Sequence, residues 1–172
     1  MRGFIIRRDH SLMRMANNWR PPRWFRAYVL AATRVGDGWL WYAMGLVILL
    51  FGGDDRLLAV GAAGSAAAAS VLLFLVLKRF ACRRRPCHIA PHCWATLLPP
   101  DQFSFPSGHT MTAFAVAVPL LLHYPSLTIG LLFCALSIAI SRILLGMHFL
   151  SDVVAGGLIG TGLGFLGFIA FQ

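Results

Sequence analysis

The alternation of hydrophobic and polar positions divides this 172-residue chain into an arginine-studded opening and five apolar stretches separated by polar turns. Residues 1–35 carry eight arginines interleaved with Phe4, Ile5, Leu12, Met13, Met15, Trp19, Trp24, Phe25 and Tyr28. No run between these arginines reaches the ~20 apolar residues that a spanning helix needs. Pro21 and Pro22 split the region, which therefore predicts two short amphipathic helices in the headgroup plane, arginines snorkelling and tryptophans anchoring. Gly36, Asp37 and Gly38 then break the chain. Trp39–Phe51 opens the first apolar segment, which reaches spanning length only with its flanks, and Gly52 to Asp55 form a turn. The second segment, Arg56 to Leu77, is rich in small residues (Gly61, Gly64, Ser65 and Ala66 to Ala69), which lets backbones approach and predicts the central helix of a bundle. Lys78 to Pro106 is a polar loop with five prolines, longer than a connector requires and so expected to be functional. His109–Tyr124, Leu127–Gly146 and Val153–Phe171 complete the set, the last with Gly156, Gly160 and Gly164 at intervals of four, a stripe for tight packing.

The expected fold class is therefore all-α: a polytopic membrane helix bundle of about five transmembrane helices over residues 36–172, preceded by interfacial amphipathic helices over residues 1–35. Composition agrees. The chain is 58% hydrophobic and 12% charged, against about 45–50% and about 25% in soluble domains, and its mean hydropathy is +0.73. Fifteen Lys and Arg against six Asp and Glu could signal nucleic acid, but the cations sit in two clusters beside apolar segments and no recognition module is present. The bilayer and phosphorylated or anionic lipids are the expected partners, and nucleic acid is not. Phe4 to Ile6 is too short for a signal-peptide core and no small-residue cleavage site follows, so no cleavable leader is expected.

Counting crossings places the end of segment two, the start of three, the end of four and the start of five on one face of the membrane. Three polar blocks lie at those points: KRFACRRRP from Lys78 to Pro86, PSGH from Pro106 to His109, and SRILLGMHFLSD from Ser141 to Asp152. They supply cations, a glycine turn opening a helix, and two histidines, one with a carboxylate four residues on. Fixed cations and helix-start amides are what a phosphoryl group requires when no metal neutralises it. An arginine inside an apolar helix, such as Arg142, is costly unless paired or functional.

Together the blocks resemble the signature of the PAP2 superfamily of lipid phosphate phosphatases, bacterial acid phosphatases and vanadium haloperoxidases: Lys-x6-Arg-Pro, Pro-Ser-Gly-His and Ser-Arg-x5-His-x3-Asp. Lys78, Arg85, Pro86, Ser107, Gly108, His109, Arg142, His148 and Asp152 fall in register. The resemblance implies an integral membrane lipid phosphatase without cofactor or metal. Lys78, Arg85, Ser107, Gly108 and Arg142 would bind phosphate, His148 would attack to form a phosphohistidine, Asp152 would hold its tautomer, and His109 would act as general acid and then base. Polyprenyl diphosphate is the first substrate reading, with phosphatidylglycerophosphate, phosphatidate or lipid A phosphate as alternatives. A vanadate-dependent haloperoxidase is the rival of another class, disfavoured because those relatives are generally soluble and larger.

Other polar residues receive plainer readings. Ser141 is expected to pack, and His10 and His123 to cap or sit at the interface. Arg79, Arg83 and Arg84 exceed the motif and read as a solvated or lipid-facing basic cluster. Cys87, His88, His92 and Cys93 lack a common structural zinc spacing, and a Cys87–Cys93 disulfide is expected if the loop faces an oxidising compartment. Thirteen of the fifteen cations lie in residues 1–35 or Lys78 to Arg85, so the positive-inside rule points the catalytic face to the cytoplasm. The resemblance points the other way, and the reading leans to the extracytoplasmic face of the cell membrane.

Overall fold

The computed structural model describes residues 2–90 and 102–172, and among these it contains helices and no strand. In order they are α1 (Arg2–Asn18), α2 (Arg23–Val35), α3 (Trp39–Phe51), α4 (Arg56–Ala81), the single turn α5 (Pro86–Ile89), α6 (Gly108–His123), a 3₁₀ turn (Pro125–Leu127), α7 (Thr128–Leu144) and α8 (Leu150–Ala170).

The axis of the bundle is α6, packed between α4, α7 and α8. It buries Thr110, Met111, Ala113, Ala115, Val116, Ala117, Pro119 and Leu120. The expectation that the small-residue helix α4 would be central is corrected. Its small residues Ala59, Ala62, Ala63, Ala66 and Ser70 form one buried face, while Leu72, Leu75, Val76 and Phe80 project outward. The glycine stripe of α8 behaves as expected: a Cβ on Gly160 would collide with the Met111 carbonyl, so α8 closes on α6 only because that position lacks a side chain. Large apolar side chains cover the exterior, with Phe80 82% and Ile129 86% exposed. Such a surface is stable against lipid and not against water.

Among the described residues, three helical stretches are by themselves long and apolar enough to span a bilayer: Arg56–Ala81, Pro125–Leu144 and Leu150–Ala170. The count of five spanning helices needs adjustment in two places. The first segment, Trp39–Phe51, qualifies only jointly with α2, the two meeting at a bend of 64°. At 16 residues α6 is about 24 Å long, short of a ~30 Å hydrocarbon core. It starts within the polar site and is wrapped by its neighbours, so it need not match the lipid.

The N-terminal region forms the two helices expected, separated around Pro21 and Pro22. Both are docked on the bundle. On α1 the acidic Asp9 and Met13 turn inward, while Phe4, Ile5, Ile6, Leu12 and Met15 face out. Helix α2 packs along α7, with Val29 joining Leu145 and Met147 in a small core beneath the turn that precedes α8. The α2–α3 bend turns on Gly38, whose φ of 118° is in the left-handed region.

Candidate active site

Each polar block reaches the site by a different local device. Lys78 lies in the last turn of α4, its Nζ 4.6 Å from the Phe74 ring centre. Just beyond, residues 83–85 pair with 102–104: Arg84 bridges Phe103, Arg85 N–H donates to Gln102 O (3.3 Å) and Ser104 N–H to Arg83 O (2.7 Å). This pairing, with Cys87 N–H donating to Gly146 O (3.0 Å), fixes both the Arg85 guanidinium and the Ser104 carbonyl against the turn between α7 and α8. Arg142 occupies the last turn of α7, and its carbonyl accepts the amides of Met147 and His148, both at 3.1 Å. Gly108 and His109 open α6, where unpaired amides face outward along the helix axis.

Lys78, Arg85, Gly108, His109, Arg142 and His148 line one cavity of about 400 Å³. The convergence expected from hydropathy is thus reproduced in three dimensions. The other three residues in register, Pro86, Ser107 and Asp152, are fully buried and lie outside that lining. The Ser107 hydroxyl is 2.9 Å from that of Thr110, and its amide donates to the Asp152 carbonyl (3.1 Å), tying the start of α6 to the start of α8.

His148 is 3% exposed and held from two sides. Its Nδ1 lies 2.5 Å from the Ser104 carbonyl, which only accepts, so Nδ1 carries the proton. Its Nε2 lies 3.1 Å from Arg85 Nη1, a donor, and therefore presents a lone pair. The same Arg85 nitrogen donates to Met147 O at 2.9 Å. Burial first, then the charges of Arg142 and Arg85, hold the His148 pKa well below the usual histidine value, against the opposing Ser104 carbonyl.

The partner assigned to Asp152 from the resemblance differs in detail. Its Oδ2 is 4.0 Å from His148 Nδ1, and the Ser104 carbonyl takes the direct hydrogen bond instead. Asp152 accepts from the Phe149 amide (2.8 Å), capping α8, and from Arg83 Nη1 (2.6 Å). It therefore steadies the segment that carries His148 from one step away.

Four residues of this network were not anticipated. Arg83, read as a solvated or lipid-facing cation, is instead an internal strut: it bridges Asp152 and Asp9 (2.7 Å) and stacks on Phe149, 4.2 Å from the ring centre. Asp9 is 3% exposed and also accepts from the Ser151 amide (3.1 Å) and hydroxyl (2.5 Å), clamping α1 on the start of α8. Thr33 on α2 accepts from Arg142 Nη1 (2.6 Å), and Asp37 in the α2–α3 bend lies 2.7 Å from His109 Nε2. Residues 1–35 contain none of the motif yet supply two of these contacts. The only available signals were a lone Asp in an arginine-rich helix and an Asp between two glycines. Ser141 packs as expected, buried with its hydroxyl on Ile138 O. His92 and Cys93, and with them the disulfide and zinc readings, lie outside the described residues.

The sequence profile described as the PAP2 superfamily matches residues 59–172, about two thirds of the chain. The chain belongs to the PAP2 superfamily. It is 33% identical over 104 residues to a lipid A 1-phosphatase of Rhizobium johnstonii, covering 58% of this chain and 43% of that protein. To phosphatidylglycerophosphatase B of Bacillus subtilis it is 38% identical over 108 residues, covering 55% and 49%. The matched stretches span less than half the length of these relatives. Among solved structures, Aquifex aeolicus LpxE superposes with a TM-score of 0.77 at 29% identity, over 92% of this chain and 93% of that one. The structural likeness therefore extends into the N-terminal helices that precede the matched family region.

Proposed function

We propose that this PAP2 protein is a membrane lipid phosphatase that removes a phosphate through a phosphohistidine on His148. The observation that carries the reading is the two-sided cavity. One end gathers Lys78, Arg85, Arg142, His109 and His148, and the other wall is Tyr42, Val71, Phe74 and Leu75, of which Tyr42, Val71 and Leu75 are also exposed on the apolar exterior. A phosphate can sit among the cations while its lipid chain leaves along α3 and α4. The Nε2 lone pair of His148 attacks phosphorus as the bond to the lipid oxygen breaks, and His109 protonates that oxygen. Water, deprotonated by His109, then attacks the phosphohistidine and releases inorganic phosphate. As that lone pair attacks, the Arg85 N–H leaves Nε2 for a phosphoryl oxygen, and Arg85 with Lys78 and Arg142 balances the charge gathered on the equatorial oxygens.

The apolar wall accepts any long chain, so headgroup contacts set the choice of substrate. Similarity to a lipid A 1-phosphatase and a phosphatidylglycerophosphatase puts those two phospholipids beside polyprenyl diphosphate. The test is phosphate release by the detergent-purified protein from these three lipids, with EDTA and with orthovanadate. Expected is turnover that resists EDTA, is blocked by vanadate, a mimic of five-coordinate phosphorus, and is lost in His148→Ala. Release undiminished in His148→Ala, or restricted to soluble phosphate esters, would overturn the reading.

The catalytic face is assigned to the extracytoplasmic side. Support comes from the arginines themselves: Arg85 lines the cavity and Arg83 is held on Asp152 and Asp9 behind it, so their position has a cause independent of topology. Cys82, exposed at the end of α4 beside the site, reports on this directly. In a variant with Cys82 as its one cysteine, an impermeant maleimide should label intact spheroplasts. Labelling that requires permeabilisation would reverse the orientation.

A further inference from the structure

The lipid phosphatase reading gives His109 two proton transfers, and the α2–α3 bend places a carboxylate on it. Asp37 Oδ1 lies 2.7 Å from His109 Nε2, and a carboxylate only accepts, so Nε2 carries the hydrogen of this bond. Asp37 is the one acidic side chain among the described residues lining the cavity. Its place is well determined. Gly38 turns the backbone at φ 118°, and a Cβ on Gly36 would come within 2.9 Å of Ile138 on α7. One helical turn before Asp37, Thr33 accepts from Arg142. The end of α2 is thus pinned to α7 on the side where Asp37 meets α6.

We propose that Asp37 is a positioning residue for His109: it fixes the imidazole with Nε2–H toward the bend and leaves Nδ1 as the atom that gives up and takes back the proton. The proposal rests on the phosphatase reading and deepens it. When His109 is protonated the pair is neutral overall, so the carboxylate does not repel the incoming phosphate. When Nδ1–H passes its proton to the departing lipid oxygen, His109 becomes neutral while still anchored through Nε2. The free Nδ1 then accepts a proton from the water that attacks the phosphohistidine.

The test separates chemistry that needs His109 from chemistry that does not. Wild type, Asp37→Asn and Asp37→Glu are compared on phosphatidate in detergent micelles, whose leaving group needs a proton, and on p-nitrophenyl phosphate, whose leaving group does not. Asp37→Asn should lower kcat on phosphatidate about 30- to 100-fold with KM changed less than about threefold. On p-nitrophenyl phosphate its first-turnover burst should stay within about threefold of wild type while the steady state slows, because hydrolysis of the intermediate still needs a base. Asp37→Glu should recover part of the loss. An unchanged kcat, a loss confined to KM, or a burst slowed as much as phosphatidate turnover would overturn the proposal and leave the phosphatase reading intact. A wild type that turns over neither substrate and none of the three lipids named above would remove the reading on which it rests.

Discussion

The two histidines facing this cavity are held in contrasting ways. His148 is buried, with its Nδ1 on a backbone carbonyl and its Nε2 against an arginine, and both contacts come from the segment that follows α4. His109 stands at the open mouth, 30% exposed, and donates its hydrogen bond to a half-exposed carboxylate in a bend of the chain. A nucleophile must keep one atom and one tautomer aimed at phosphorus, which suits rigid, dry surroundings. A proton carrier must alternate between two states and exchange with water, which suits an accessible site with a single anchor. One cavity is thus rigid at the attacking atom and open at the proton-transferring one.

The largest effect should come from removing either side of that division. His148→Ala should lower phosphate release ~10⁴-fold or more, since the covalent route has no substitute nucleophile. His109→Ala should lower it roughly 10²- to 10⁴-fold on lipid substrates and much less in the first turnover of a substrate with a good leaving group. If the two variants lose activity equally in that first turnover, the contrast between them is wrong.

Next is the strut behind His148. Arg83→Ala strips a buried carboxylate pair, Asp9 and Asp152, of its shared cation. Breaking such a pair costs about 3 kcal/mol, the low end of the range because Arg83 is itself a quarter exposed. A fall in thermal midpoint with a parallel loss of kcat is expected. Arg79→Ala, outside this network, should leave the midpoint within about a degree, and an equal fall in both would mean that the basic cluster acts only through its total charge.

The pH profile sharpens the comparison on a smaller scale. Attack requires neutral His148, whose pKa burial and the charges of Arg142 and Arg85 hold well below the usual ~6.5. A lowered pKa means that protonation sets in only at more acid pH, so His148 should remain competent as pH falls through 6.5. Arg85→Gln removes one of those charges and should move the acid limb of kcat/KM upward, at a reduced overall rate. The substrate's own ionisation is common to both profiles and drops out of the difference. An acid limb that moves down in Arg85→Gln would contradict the electrostatic account.

These contacts also mark how far the sequence could be read. The glycine stripe of α8, the helical segments and the convergence of Lys78, Arg85, His109, Arg142 and His148 were legible because each depends on spacing within one element or on counting crossings. The Asp9–Arg83, Thr33–Arg142 and Asp37–His109 contacts were not, since 72 to 109 residues separate their partners and nothing in a hydropathy pattern specifies which loop folds over which helix end. The central position of α6 was missed for a related reason. Small residues mark a face that packs closely, and α4 has one such face, whereas centrality requires neighbours on every side.

The smallest expected effect tests the weakest of these long-range links. The Thr33 hydroxyl accepts from Arg142 Nη1 at 2.6 Å, and both residues are buried. Thr33→Val keeps the shape and removes the acceptor. A hydrogen bond to a charged group contributes about 1.5–3 kcal/mol, but here Arg142 can turn toward the cavity and recover part of that by binding phosphate. The expected result is therefore a kcat/KM lowered about three- to tenfold through KM, because the guanidinium is less well aimed, with the first-turnover rate at saturating substrate near that of wild type. Thr33→Ser, which restores the hydroxyl, should recover the KM. If Thr33→Val instead lowers kcat as far as Asp37→Asn does, α2 acts as one unit on both histidines, and the division between a rigid and an open side of the cavity would not hold.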